Sequence, residues 1–96
     1  MQISKEKSLR DNIRLNAKLI YPEWLNGGEF ERLAFDMGYK PSNASRRARE
    51  LENDNILERE ERKTTGVKSV FYRYKPTEHE ILSWSMQNKL NETNIL

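Results

Sequence analysis

The sequence has no cysteine, which excludes a disulfide framework, a thiolate metal site and a cysteine nucleophile. It also lacks any apolar run near the roughly 18 residues that a membrane-spanning helix needs. Residues 1–7 contain no apolar stretch of the kind that a secretory signal carries, so we expect no such signal and a cytoplasmic protein. With 96 residues, 35% of them hydrophobic, the chain can build one core, and we expect a single domain over residues 1–96.

Residues suited to catalysis or metal binding are also scarce. His79 is the one histidine, and its neighbouring glutamates would diverge from it on a helix, so we expect a surface residue. Glu58, Glu60 and Glu61 lie on a predicted strand without a histidine nearby. The glycine pair at 27–28 lacks the Lys-Ser/Thr of a nucleotide-binding loop. We therefore expect no enzyme, no metal site, no cofactor and no small-molecule ligand.

Positive charge, in contrast, is concentrated in one part of the chain. The net charge is only +2, but residues 40–75 carry ten cations and six anions, and the remainder carries seven and nine. Within this part, residues 40–49 hold no anion and four cations, which are Lys40, Arg46, Arg47 and Arg49. Such a charge asymmetry is informative about binding partners rather than about the fold, and it indicates a polyanionic partner.

Apolar residues at helical spacing predict two helices before the basic segment. The first runs from about residue 8 to residue 20, with Ser8 as its amino-terminal cap. A predicted turn at residues 26–28 precedes the second, which runs from about residue 29 to residue 37. Gly38 is expected to end it in a left-handed conformation.

A third helix is predicted to start near Ser42 and to bury Ala44, Ala48 and Leu51, which fall on one side at about 100° per residue. Small alanines allow close packing on the preceding helix. The outward side would hold Ser42, Arg46, Arg49, Glu50 and Asn53. The flanks would hold Asn43, Ser45 and Arg47. Arg46 and Glu50 have the i,i+4 spacing of a helical ion pair.

Two strand-like runs follow, at residues 56–62 and 70–74, around a Lys/Thr/Gly tip at residues 63–68 that predicts a hairpin. A fourth helix is predicted over residues 77–92, with a capping box at its start. Its apolar residues form two rows, one with Ile81 and Trp84, the other with Leu82, Met86 and Leu90. The second row could face the core, a dimer partner or a membrane surface, but it lacks the opposite basic face that membrane binding would need. We expect a homodimer through this helix.

The order of elements resembles the winged helix-turn-helix superfamily over roughly residues 9–75. The likeness rests on residues 30–38, 41–51, 55–59 and 70–74. Asn55 stands where many such proteins have a glycine, and asparagine also tolerates a left-handed backbone. The resemblance implies an α+β fold with a three-helix core, a two-stranded wing and here an additional C-terminal helix. The size is similar to that of small stand-alone proteins of bacteria and their phages.

This resemblance implies that the protein binds double-stranded DNA as a transcriptional regulator, with its third helix in the major groove. By position, Asn43, Ser45, Arg46 and Arg49 would approach bases or nearby phosphates. Ser42 and the amides at the helix start would hold a phosphate. Lys63 and Lys68 would lie at the wing tip. Lys40 and Arg47 complete the predicted DNA-binding set.

Other interpretations remain open from the sequence. The arginines could form a solvated helix face, and the wing lysines could serve solubility. Trp24, Tyr72 and Tyr74 could stack on single-stranded bases, although core aromatics that support the wing fit better. The small net charge and the acidic residues beside the wing allow a different class, a winged-helix adaptor that binds another protein.

Overall fold

The computed structural model describes the backbone of residues 1–94 and the side chains of residues 1–87. The predicted order of three helices, a hairpin and a fourth helix is confirmed. The elements are α1 (Leu9–Leu19), β1 (Leu25–Asn26), α2 (Gly27–Asp36), α3 (Ser42–Asn53), β2 (Leu57–Thr64), β3 (Val67–Tyr74) and α4 (Glu78–Asn94).

Local sequence signals account for most helix ends. The Ser8 hydroxyl accepts a hydrogen bond from the Asp11 amide at 3.1 Å, which caps α1 as predicted. Gly38, with φ of 86°, follows α2, and Asn55, with φ of 61°, turns the chain from α3 into β2. Both positions have the left-handed backbone that the sequence predicts.

The start of α2 corrects a prediction, because the turn expected at residues 26–28 contains the first helical residues. The Asn26 side chain accepts a hydrogen bond from the Gly28 amide at 2.9 Å. The Glu29 carboxylate accepts one from the Asn26 amide at 3.1 Å, which completes a capping box. These bonds satisfy amides at the helix start, so the two glycines join the helix despite their low helix propensity.

The sheet has three antiparallel strands in the order β1-β3-β2, one more than the predicted two-stranded wing. The added strand β1 consists of two residues, and Leu25 pairs with Tyr72. The sequence predicts a short extended segment at Trp24-Leu25, but a segment of this length has no readable alternation, so only the structure shows that it pairs with β3.

The hydrophobic core lies between the three helices and one face of the sheet. Its fully buried large side chains include Ile13, Phe30, Leu33, Leu51 and Leu57. Each such side chain contributes about 1.5–3 kcal/mol by leaving water. The core also includes Ala44 and Ala48, at 0% and 1% exposure, so helices can approach α3 closely on this side.

Two buried asparagines attach the amino-terminal residues to α1, which the sequence did not predict. The Asn12 oxygen accepts a hydrogen bond from the Ser4 amide at 2.8 Å, and its amide group donates to the Ser4 carbonyl at 3.0 Å. Asn16 forms the same pair of bonds with the backbone of Gln2, at 2.9 and 2.7 Å. Both side chains thus act like a strand partner for residues 2–4.

Helix α4 is attached to the core through its first two turns. Glu80 accepts hydrogen bonds from the Tyr74 hydroxyl at 2.7 Å and from the Thr77 amide at 3.1 Å, and its other oxygen lies 3.1 Å from Lys18 Nζ. The Trp84 ring packs on the Tyr21 ring, with centroids 5.5 Å apart. Among the described residues, no helix combines the length and apolar character required to cross a membrane.

Candidate nucleic-acid interface

The outward side of α3 is an exposed strip, which we call the α3 strip, of Ser42, Arg46, Arg49 and Asn53. It lies opposite the buried Ala44, Ala48 and Leu51, as the helical period requires. The interior therefore fixes the direction in which the arginines point.

Arg46 and Arg49 differ from the neighbouring Arg47 in having no ionic partner among the described residues. No carboxylate in the described part of the chain forms a salt bridge with either guanidinium. The Arg46–Glu50 pair, which the spacing allowed under the alternative of a solvated helix face, does not form among the described residues. Glu50 instead lies 3.1 Å from Arg47 and 3.7 Å from Arg10, because α1 brings Arg10 against this flank of α3.

The other predicted residues of this region divide between the two flanks of α3. Ser45 lines a groove toward the hairpin. Asn43 and Arg47 line the opposite side, together with Arg10 and Tyr39, and both are half-buried. Lys40 is exposed in the turn before α3. The structure therefore separates Asn43 and Arg47 from the α3 strip.

The amino-terminal end of α3 offers fewer free amides than expected. Pro41 occupies the cap position in a helical conformation, without a side-chain cap. The amides of Asn43 and Ala44 already donate to the carbonyls of Lys40 and Pro41, each at 3.0 Å. The expected phosphate site of Ser42 and the first amides therefore loses two of its donors.

The hairpin has a tighter tip than predicted. Its strands extend to Thr64 and from Val67, so the turn consists of Thr65 and Gly66, both with positive φ. Such two-residue turns match the twist of antiparallel strands. Lys63 and Lys68 are paired across the ladder instead of lying in the loop.

Strand alternation gives the hairpin two faces of different character. The pairs Leu57–Tyr74 and Arg59–Tyr72 lie on the face of the sheet that packs against the core. The same face continues toward the tip with Glu61, Val70, Lys63 and Lys68, and we call this part the inner face. The outer face carries Glu58, Glu60, Arg62, Phe71 and Arg73.

The outer face neutralises its own charges. Glu58 pairs with Arg73, and Glu60 lies 3.0 Å from Arg62. The two guanidiniums also lie over aromatic rings, Arg73 at 4.5 Å from the Trp24 centroid and Arg62 at 4.2 Å from that of Phe71. Glu58 and Glu60 therefore lie on the face opposite to the inner face.

The aromatic residues that could have stacked on bases support the fold. Tyr72 and Tyr74 are 7% and 3% exposed, and the Tyr72 ring lies 5.8 Å from that of Phe30. Trp24 is half-buried under Arg73. The interpretation as core aromatics is confirmed for Tyr72 and Tyr74, and it is wrong for Trp24, which lies outside the core cluster.

A groove of about 300 Å³ separates α3 from the inner face. Ser45 and Arg49 line its α3 side, and Arg59 and Lys68 line its hairpin side. Arg59 was missing from the predicted site. Its strand parity, two residues after the apolar Leu57, was the signal that could have placed it on this side.

The groove lining includes one carboxylate, that of Glu31 on α2, and Glu61 lies beside the groove on the inner face. The two oxygens of Glu61 lie 2.8 Å from Arg59 and 3.0 Å from Lys68. The hydrogen bond from Lys68, with one from Arg59, lowers the pKa of Glu61 below its ordinary value. Desolvation opposes the charge on Arg59, but hydrogen bonding and charge attraction to Glu61 and Tyr72 together outweigh it and raise the pKa of Arg59.

His79, the candidate considered for metal or acid–base chemistry, is exposed at the start of α4. Over the described residues, no group of three or more histidine, cysteine or carboxylate side chains could hold a metal ion.

Comparison with known proteins identifies the fold. No family model and no curated protein matches the sequence. A solved structure, a possible transcriptional regulator from Methanosarcina mazei Go1, matches with a TM-score of 0.62 over 91% of this chain and 75% of that chain. This chain has a winged helix-turn-helix fold. At 14% sequence identity the likeness concerns the fold, so the winged-helix resemblance is confirmed at that level.

Proposed function

We propose that this winged-helix protein binds double-stranded DNA by placing α3 in the major groove, and that it acts as a transcriptional regulator. The observation that carries the proposal is the α3 strip, where Arg46 and Arg49 are exposed and free of carboxylate partners in the described structure. The name of the structural neighbour, a possible transcriptional regulator, agrees with this role.

The chemistry of the strip suits a duplex. An arginine fork can bind the O6 and N7 atoms of guanine, and serine hydroxyls at Ser42 and Ser45 can donate to phosphates. Lys40, at the start of α3, and Lys63, on the inner face, add charge for the backbone. Asn43 and Arg47 lie on the α1 flank of α3. In the same proposal they contact the DNA at the edge of its major groove. Most of these contacts would position the protein rather than read the sequence.

The test is a titration of a labelled duplex of mixed sequence, followed by fluorescence anisotropy at about 50 and 200 mM salt. A protein that neutralises several phosphates should lose about a hundredfold or more in affinity between these concentrations. Arg46→Ala and Arg49→Ala should each weaken binding about tenfold. Equal binding at both salt concentrations would contradict the proposal.

Arg32→Ala is the matched control for these variants. Arg32 is also exposed and likewise forms no salt bridge among the described residues, but it lies on α2 beside Met1, Glu29 and Asp36. The Arg32→Ala substitution should change the affinity for DNA by less than about twofold, because solvent screens the charge of Arg32 from a duplex bound at α3. A similar loss in all three variants would indicate a general charge effect instead of binding through the α3 strip.

A second candidate function is that of a protein-binding adaptor. Phe35 and Tyr39 are 69% and 44% exposed near the carboxyl end of α2, which suits an apolar partner surface. Such an interface should keep its affinity at 200 mM salt and tolerate the arginine substitutions. Phe35→Ser should abolish it and leave DNA binding unchanged.

We also propose that two copies associate through α4. Ile81, Leu82 and Met86 are between 50% and 63% exposed, on a helix held to its own core through Glu80 and Trp84. The predicted row continues to Leu90, whose side chain lies outside the described part. Sedimentation velocity at tens of micromolar should show a dimer that Leu82→Asp dissociates and Gln87→Asp, on the same helix, preserves. A monomeric wild-type protein would remove this proposal.

A further inference from the structure

Glu61 occupies an unusual position in the hairpin. It is the one acidic residue on the inner face within strands β2 and β3, where Arg59, Lys63 and Lys68 supply three cations. The other two glutamates of β2, Glu58 and Glu60, lie on the outer face. Glu61 is therefore the one hairpin carboxylate that shares the groove side with the basic residues.

The Glu61 carboxylate bridges two cations that belong to different strands. One oxygen lies 2.8 Å from an Arg59 guanidinium nitrogen on β2, and the other lies 3.0 Å from Lys68 Nζ on β3. Arg59 and Lys68 line the groove that Ser45 and Arg49 close from the α3 side. A carboxylate held by an arginine and a lysine has the charge and the acceptor atoms of a phosphodiester oxygen pair.

We propose that this groove binds one backbone phosphate of the duplex, that Arg49, Arg59 and Lys68 hold it, and that in the free protein Glu61, beside the groove, pairs with Arg59 and Lys68 instead. The inference rests on the proposed DNA binding and names a phosphate site within it. The phosphate displaces Glu61 from the two cations. Arg59 thereby becomes a DNA contact that the predicted site did not include.

The consequence is that the hairpin binds DNA less tightly than it would without the charge of Glu61. Exposed ion pairs contribute little to stability, so a duplex phosphate can replace Glu61 at low cost. The displaced carboxylate nevertheless stays on the same strand and repels the phosphate. Removing its charge should therefore tighten DNA binding, although the substitution adds no new cation.

The experiment compares Glu61→Gln with Glu60→Gln in the full chain. Both variants lose one negative charge on β2, but Glu60 lies on the outer face, paired with Arg62. Anisotropy titration of a mixed-sequence duplex near 100 mM salt should show about fivefold tighter binding for Glu61→Gln. Glu60→Gln should change the affinity by less than about twofold. Equal gains in the two variants would overturn the phosphate site.

A double-variant cycle tests the part of Arg59. Arg59→Gln should weaken binding about fivefold and lower the slope of log affinity against log salt by about one. In that background, Glu61→Gln should have lost most of its gain, because one of the two cations that it releases is absent. A gain of full size with Arg59→Gln would show that Glu61 acts at long range, and the proposal would fail.

The two levels of proposal fail differently. If the wild type shows no salt-dependent DNA binding, the proposed function fails and the phosphate site fails with it. If Arg46→Ala and Arg49→Ala weaken binding while Glu61→Gln and Glu60→Gln behave alike, DNA binding through α3 stands and the phosphate site alone is removed. Thermal melts of each variant check that the fold is unchanged.

Discussion

Helix α3 and the β2–β3 hairpin both carry arginines, but the two regions use them in opposite ways. On α3, Arg46 and Arg49 extend into solvent without a carboxylate partner in the described structure. On the hairpin, Arg62 and Arg73 are paired with glutamates and lie over aromatic rings. The number of positive charges is therefore a poor guide to the charge that a partner meets.

The difference arises from what each element must bury. Helix α3 buries small and aliphatic side chains on one side, so its arginines are left on the other. On the outer face of the hairpin, the paired side chains of Arg62 and Arg73 cover the aromatic rings of Phe71 and Trp24. We thus expect substitutions on α3 to change binding and substitutions on the outer face to change stability.

The largest expected effect separates the two regions directly. Arg46→Ala with Arg49→Ala should weaken duplex binding about a hundredfold, since each arginine contributes about 1–3 kcal/mol in a groove. The thermal midpoint should stay within about 2 °C of the wild type, because exposed arginines contribute little to stability. Anisotropy titration and a thermal melt of one sample provide both values. A lowered midpoint with unchanged binding would reverse the assigned roles.

A second effect concerns the attachment of α4, where charge is partly buried. Hydrogen bonds from the Tyr74 hydroxyl and the Thr77 amide, with the nearby Lys18 ammonium, lower the pKa of Glu80 from 4.5 to about 2. The carboxylate therefore stabilises the fold fully above pH 4.5, and this contribution is lost as the pH falls toward 2. Glu80→Gln should cost about 2 kcal/mol at pH 7. Urea unfolding at pH 7, 4 and 2 should show the two proteins converging.

Glu78→Gln is the matched control for this measurement. Glu78 lies in the same first turn of α4 and is exposed. Its stability difference from the wild type should be within about 0.5 kcal/mol. An equal pH profile for both variants would contradict the role of Glu80 in holding α4.

A smaller effect is expected on the outer face of the hairpin. Arg73→Ala removes the pair with Glu58 and the contact over Trp24, and should lower stability by about 1 kcal/mol. Duplex affinity should change by less than about twofold, since Arg73 lies away from the groove. Urea unfolding and anisotropy check the two expectations. A tenfold loss of affinity would place the outer face in the interface.

The smallest effect tests whether the hairpin tip touches DNA at all. Lys63 lies on the inner face near the turn, and Lys63→Ala should weaken binding about twofold to threefold and reduce the salt slope by about one. Lys75→Ala, after the end of β3, removes the same charge elsewhere and should have no measurable effect. Identical titrations for the two variants would restrict the interface to α3 and its groove.

Much of the fold could be read from the sequence because its signals are local. Ser8 caps α1, Gly38 and Asn55 supply left-handed positions, and the alanines of α3 mark its buried side. The start of α2 was missed, because a Gly-Gly pair predicts a turn unless the capping box of Asn26 and Glu29 is recognised.

The candidate site was predictable only in part. The orientation of Arg46 and Arg49 followed from the helical period, but the partner of Glu50 did not, since Arg10 reaches it from α1. Arg59 was missed because its strand parity with the apolar Leu57 was not used to assign it to the core side of the hairpin. The burial of Asn12 and Asn16 was not predicted, since their partners lie in residues 2–8.

The sequence by itself determined the order of elements and the outward direction of the α3 arginines, because helical period, caps and turn residues act over a few positions. Only the tertiary structure decided which cations remain free, because ion pairs such as Arg10 with Asp54 and Lys68 with Glu61 depend on distances between separate elements. The electrostatic surface that a partner meets is therefore set by packing as well as by composition.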